Sequence, residues 1–144
     1  MSVKNVKKFP FLLILLLFSC GKNSSQKDCQ YKTVSFYNDD INLTDIKYVK
    51  LKSDGNFIYY NLGAKGVIVY RASSTEYRVF ERASPLDVDN DKAKIFVDNT
   101  GQFMKDTVHK QIWDMNGVPY SGNSSCIVKQ YNSTVSGNNL VISN

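Results

Sequence analysis

The chain has 144 residues, of which 42% are hydrophobic, 22% charged and 12% aromatic. That length holds one compact domain and excludes a multi-domain enzyme, and the content of Tyr, Phe, Val and Ile excludes a disordered chain. The formal net charge is +5, but Lys4, Lys7 and Lys8 fall in the first 19 residues, which carry no acid; removing them leaves 15 basic against 13 acidic residues, scattered along the chain, so no nucleic-acid footprint is expected.

In chain order the first element is an export signal. Lys4, Lys7 and Lys8 make a positive start, and Phe9 to Phe18 is an apolar run of ten residues. A helix needs about 20 apolar residues to cross a bilayer core, so the run fits a secretory signal and not a span. Leu17-Phe18-Ser19-Cys20 resembles the lipobox of bacterial lipoproteins, although Phe18 is larger than the usual occupant of its position. The resemblance implies cleavage before Cys20, a diacylglycerol thioether on its sulfur and acylation of its new amine by a palmitate-type chain. Each buried methylene contributes about 0.8 kcal/mol, and two or more chains make an anchor stable. The alternative is an ordinary signal peptide with a coincidental cysteine. Gly21 and the polar stretch to Lys27 read as a flexible tether. The expected division is a signal over 1–19, a lipidated N-terminus and tether over 20–30, and a folded body over 31–144. Gly21 is not an aspartate, so retention at the inner membrane is not indicated, and an outer-membrane location on the periplasmic or surface face is expected.

The body shows no good 3.6-residue apolar period. Short apolar or alternating runs lie between turn signals instead. Val34 and Phe36 alternate with Thr33, Ser35 and Tyr37, and Ile46 to Leu51 is a second run. Asn56 to Tyr60 is a third. Val67-Ile68-Val69-Tyr70 is continuously apolar, as a strand buried on both faces would be. Tyr77 to Phe80 follows, which predicts a hairpin around Ser73-Ser74. Ile95-Phe96-Val97 is next, and Ile112 to Met115 precedes Asn116-Gly117, a strong two-residue hairpin signal. Ile127 to Tyr131 and Leu140 to Ile142 flank Ser136-Gly137-Asn138-Asn139, which predicts a closing hairpin. The expected fold class is all-β, a small antiparallel sandwich or barrel.

Cys29 and Cys126 remain once Cys20 carries lipid, an even pair in an exported protein. A disulfide tying the N-terminal entry to the last hairpin is expected; two free thiols are the alternative, since pairing needs α-carbons within about 7 Å.

Three further features carry chemistry or fail to. Asp87-Val88-Asp89-Asn90-Asp91 suggests a calcium loop, but the sixth and twelfth positions counted from Asp87 are Lys92 and Asp98, not Gly and Glu, so a polar turn is expected. Tyr31, Tyr37, Tyr48, Tyr59, Tyr60 and Tyr70 could line a glycan or protein interface, although core and sheet-face roles are the simpler reading. His109 is the only histidine, and Asp106 lies three residues before it. The pair could bind a divalent ion or move a proton, and Ser84 could serve as a nucleophile with His109 as base, yet no Gly-x-Ser-x-Gly elbow frames Ser84.

One ordered set of segments carries a family resemblance. Gly66 to Arg71, Tyr77 to Pro85, Ile112 to Pro119, Ser121-Gly122 and Val128 to Tyr131 together resemble the Rieske-like lipoproteins of Bacteroidetes, within the broader Rieske ferredoxin fold, over roughly residues 47–144. The resemblance implies a cluster-binding-type subdomain at one tip. It also implies two loops whose ligands, two thiolates and two imidazoles, hold a two-iron two-sulfur cluster. After Arg82-Ala83, Ser84 stands at the first Cys position and Leu86 at the first His position; before Trp113-Asp114, Asp106 stands at the second Cys position and His109 at the second His position. One of four ligands survives. Serine is a poor substitute for a soft thiolate, the Asp106 carboxylate is hard, and leucine binds no metal.

The expectation is therefore a cell-envelope lipoprotein that has lost its cluster and works as a binding or structural module, not an electron carrier; whether it is an enzyme is left open, with a non-enzymatic role favoured. No catalytic, cofactor-binding or metal residue is assigned, and no cofactor is expected. Its partners are the membrane through Cys20 and an unspecified envelope protein or glycan, with no nucleic acid. The alternative is a redox or metal-binding component with a repurposed site around His109, Asp106 and Ser84.

Overall fold

A computed structural model describes residues 29–144; the export signal, Cys20 and the tether up to position 28 lie outside the described residues. The body is antiparallel β-structure throughout. Its strands are β1 (Asp39–Asn42), β2 (Phe57–Tyr60), β3 (Val67–Arg71), β4 (Tyr77–Glu81), β5 (Phe96–Val97), β6 (Phe103–Asp106), β7 (Gln111–Asp114), β8 (Pro119–Ser121), β9 (Gln130–Ser136) and β10 (Asn139–Ser143). Six of them form a curled sheet in the order β1-β10-β9-β4-β3-β2, and four form a second sheet in the order β5-β6-β7-β8. Strands β4 and β9 are neighbours, pairing Val79 with Tyr131 and Phe80 with Gln130. The whole second sheet is thus an excursion of chain from between two adjacent strands of the first.

Strand β3 explains how the two layers share one wall. Val67, Ile68 and Val69 are all fully buried. Successive side chains of a strand point to opposite faces. Val67 and Val69 enter a core with Ile41, Leu51, Val79, Tyr131, Leu140 and Ile142. Ile68 enters the other, with Phe80, Ile95, Val97, Met104, Trp113 and Val128. A continuous apolar run is required because both faces of the strand are covered.

The turns follow their residues. Gly117 closes the β7–β8 turn at φ 79, a conformation open to glycine at little cost. Gly63 has φ 73, and a methyl group there would run into the Glu81 carboxylate and lie 2.9 Å from the Tyr131 hydroxyl.

Several sequence expectations are corrected. The alternating stretch 33–37 is not a strand; the paired backbone lies further on, at Asp39–Asn42, which runs along Asn139–Ile142. One buried side chain, Ile41, is enough to hold this edge strand. Ile46–Lys52 is a 3-10 segment and not a strand, capped by the Asp45 carboxylate, which accepts from the Lys47 N–H at 3.0 Å. Ile46 and Val49 are exposed, Leu51 is buried and Tyr48 packs only partly on the core, so the run is largely apolar without being wholly inward. Pairing at the C-terminal side begins at Gln130 instead of Ile127. Strand β6 had no signal, for a reason that bears on the site.

Candidate functional site at the loop tips of the second sheet

Strand β6 alternates inward and outward, but its inward positions are Met104 and Asp106. A carboxylate where an apolar residue is expected hides the period. Asp106 is buried, and its oxygens are fully engaged. Oδ1 accepts from the Val108 N–H at 2.8 Å, and Oδ2 is 2.7 Å from Nδ1 of His109. Burial pushes the Asp106 carboxyl up, but the Ser84 hydroxyl, the His109 ring and the Val108 and His109 amides together outweigh it, so the group ionises below the ordinary carboxylate range. The turn that folds His109 back over Asp106 closes at Lys110, which has φ 55. A non-glycine residue held there costs on the order of 1 kcal/mol, so the surrounding hydrogen bonds must over-determine it.

The other loop leaves β4 at Glu81. Ser84 is fully buried beside Asp106, and its Oγ accepts from the Leu86 N–H at 3.3 Å. Leu86 is buried and lines, with His109, a pocket of about 170 Å³ completed by Gln111, Asn123 and Ser124. The structure therefore brings all four positions, Ser84, Leu86, Asp106 and His109, to one tip.

A third segment closes over them. Cys29 is bonded to Cys126 with α-carbons 5.5 Å apart. The Gln30 N–H donates to the Pro85 carbonyl at 2.8 Å, so positions 29 and 30, drawn into the tether by the sequence, are already held by the body. Trp113, buried in the second core, donates its indole N–H to the Cys126 carbonyl at 2.7 Å. Gln111 clasps the same segment: its Oε1 accepts from the Ser124 N–H at 3.1 Å and its Nε2 donates to the Ser124 carbonyl at 3.3 Å. Gln111 was missed in the sequence, because a glutamine before an apolar strand carries no signal of its own.

What the tip can do follows from its atoms. Ser84 and His109 each bond to Asp106 and no hydrogen bond joins them directly, so no serine–histidine relay forms. Ser84 is also closed to solvent. The four residues do not fit a two-iron two-sulfur cluster: one hydroxyl, one alkyl group and one carboxylate saturated by hydrogen bonds stand where soft donors and an imidazole are needed. The Nε2 of His109 has no protein partner among the described residues, and the residue lines the small pocket. No group of three or more His, Cys, Asp and Glu side chains able to hold a metal ion occurs among the described residues.

The remaining candidates fall elsewhere. In the stretch Asp87 to Asp91, the Asp87 carboxylate accepts from the Asn90 amide at 3.2 Å, Asp89 pairs with Lys32 at 3.5 Å, and Asp91 points outward, so the acids do not converge. Tyr48 and Tyr60 pack on the first core and Tyr70 on the second, while Tyr31, Tyr37 and Tyr59 are exposed. Among the described residues no helix is long and apolar enough to cross a membrane. No protein-family model matches the chain, and no curated protein matches it.

Proposed function

We propose that this protein is a lipid-anchored component of the cell envelope whose Rieske-like domain has lost its cluster and serves as a binding or structural module. The observation that carries the reading is the convergence of Ser84, Leu86, Asp106 and His109 at one tip, on loops of a sheet inserted between β4 and β9. The tip keeps its geometry through hydrogen bonds and a disulfide, with side chains unsuited to iron. The N-terminal signal and Cys20 supply the anchoring half of the reading.

The test is direct. The full chain, purified without oxygen from cells able to assemble clusters, is expected to lack iron and acid-labile sulfide, and its mass is expected to include the lipid lost in Cys20→Ser. Stoichiometric iron and sulfide would overturn the loss of the cluster, and an unmodified Cys20 would overturn the anchor; the two halves fail separately.

A second reading has one specific observation in its favour. Histidines that ligate metals commonly donate their other ring N–H to a carboxylate, which is the arrangement of His109 and Asp106 at 2.7 Å. Stoichiometric zinc or copper that disappears in His109→Ala would favour that reading.

A further inference from the structure

A second concavity lies on the other side of the β4–β5 connection. It encloses about 600 Å³ between the turn joining β2 to β3 and the segment carrying Arg82 and Lys94. That volume suits a small organic ligand. Its charges are unevenly matched. Glu81 lies beneath it but is buried, and its carboxylate is taken up by the N–H groups of Ala64, Lys65 and Ala83 and by the Tyr131 hydroxyl. The Lys65 ammonium donates to the Asn90 carbonyl at 2.6 Å and stands 4.0 Å from Asp91 at the rim.

Arg82 and Lys94 are left over. Arg82 uses Nε on the Ile95 carbonyl at 2.9 Å, and its guanidinium lies 3.9 Å over the Tyr59 ring, which fixes the plane of the fork. Its two terminal nitrogens and the Lys94 ammonium meet no acceptor among the described residues. The cations feel one another: partial burial lowers the Lys94 ammonium and the Arg82 charge lowers it further, with Lys65 adding and with Glu81 and Asp91 opposing. Tyr59 in turn is held by the Val97 N–H, which donates to its hydroxyl at 3.1 Å. A planar fork already locked by an aromatic ring loses little freedom on binding an oxyanion, and the free donors of Arg82 and Lys94 together suit the several oxygens of a phosphate better than a single carboxylate.

We propose that this cleft binds a phosphate monoester, with Arg82 as the fork and Lys94 as the second cation. The inference goes beyond the function proposed above, since it uses neither the anchor nor the Asp106–His109 pair. The phosphate could be carried by a soluble polyol or by a lipid headgroup, and the test separates them.

The full chain in neutral micelles at about 0.15 M salt would be titrated with inorganic phosphate, glycerol 3-phosphate, glycerol, short-chain phosphatidic acid and short-chain phosphatidylcholine, following the backbone amide signals. Saturable shifts centred on Gly66 and Lys94 are expected with the phosphate monoesters and not with glycerol or phosphatidylcholine. The stronger of glycerol 3-phosphate and phosphatidic acid identifies the source. Lys94→Gln, at a side chain that makes no hydrogen bond or ion pair among the described residues, is expected to weaken binding about tenfold, as is the charge-conserving Arg82→Lys. Lys105→Gln, paired with Asp98 on the second sheet, is expected to leave it unchanged. Absence of saturable shifts with both monoesters would overturn the proposal, as would equal weakening in Lys105→Gln.

Discussion

Glu81 and Asp106 are the two carboxylates buried among the described residues, and their surroundings differ in kind. Glu81 ends β4 and faces the first core. Its partners are three main-chain N–H groups and the Tyr131 hydroxyl, none of which reaches solvent as a reactive group. Burial, followed by Glu81, pushes the Tyr131 phenol well above its ordinary range. Asp106 ends β6 and faces a loop tip. One of its partners is an imidazole whose side chain is 21% exposed and which lines a pocket. A buried carboxylate with only main-chain and hydroxyl donors is a fastener. One that holds a partly exposed histidine fixes a titratable ring at the surface.

The comparison can be broken most severely at Glu81. Glu81→Ala leaves three N–H groups and a hydroxyl without their acceptor, and urea unfolding is expected to show a loss of about 4 kcal/mol. A loss below about 1 kcal/mol would mean that water replaces Glu81 freely and that its cluster is no fastener. Next is the staple over the Asp106 tip. Removing the bridge with Cys29→Ser and Cys126→Ser opens a loop spanning a sequence separation of 97 and is expected to cost up to about 4 kcal/mol in the chain-entropy view. The largest amide shifts should fall around Ser84–Leu86 and Asn123–Ser125, not around Gly63.

Gly63→Ala sharpens the Glu81 side. The positive φ and the crowding of the carboxylate together are expected to cost about 2 kcal/mol. Gly137→Ala, with φ 59 and open space around it, should cost only the conformational part, about 1 kcal/mol.

The Asp106 side shows itself through pH. Its folded pKa lies below the ordinary 3.8, so its contribution to stability is whole above that value and is lost as the pH falls through the lower folded value. Stability measured from pH 5 to pH 2 should therefore fall less steeply in Asp106→Asn than in the parent. The smallest effect is expected for His109→Ala, about 1 kcal/mol, because the imidazole is partly exposed and the main-chain N–H groups still satisfy Asp106.

Much of the first sheet, and one turn of the second, was legible in the sequence. The apolar run of β3, the hairpins around Ser73-Ser74 and Gly137, and the Asn116-Gly117 turn follow from side-chain periodicity and from glycine's access to positive φ. The family resemblance and its ligand counting also named the four residues that meet at the tip. Strand β6 was not legible, because Asp106 occupies an inward position that a periodicity argument reserves for an apolar side chain. The segment 46–52 misled for the opposite reason: Ile46 and Val49 are apolar and lie outside.

Sequence alone determined the strand-rich class and the even cysteine pair, since these depend on residue types and short-range spacing. Tertiary structure decided which charges are satisfied and which are left over. The Glu81 carboxylate is hydrogen-bonded by a turn 16 to 18 residues before it, and the Arg82 guanidinium is held against Tyr59, two strands away in the same sheet. Electrostatic satisfaction is a property of neighbours in space, and the chain acquires those neighbours only by folding.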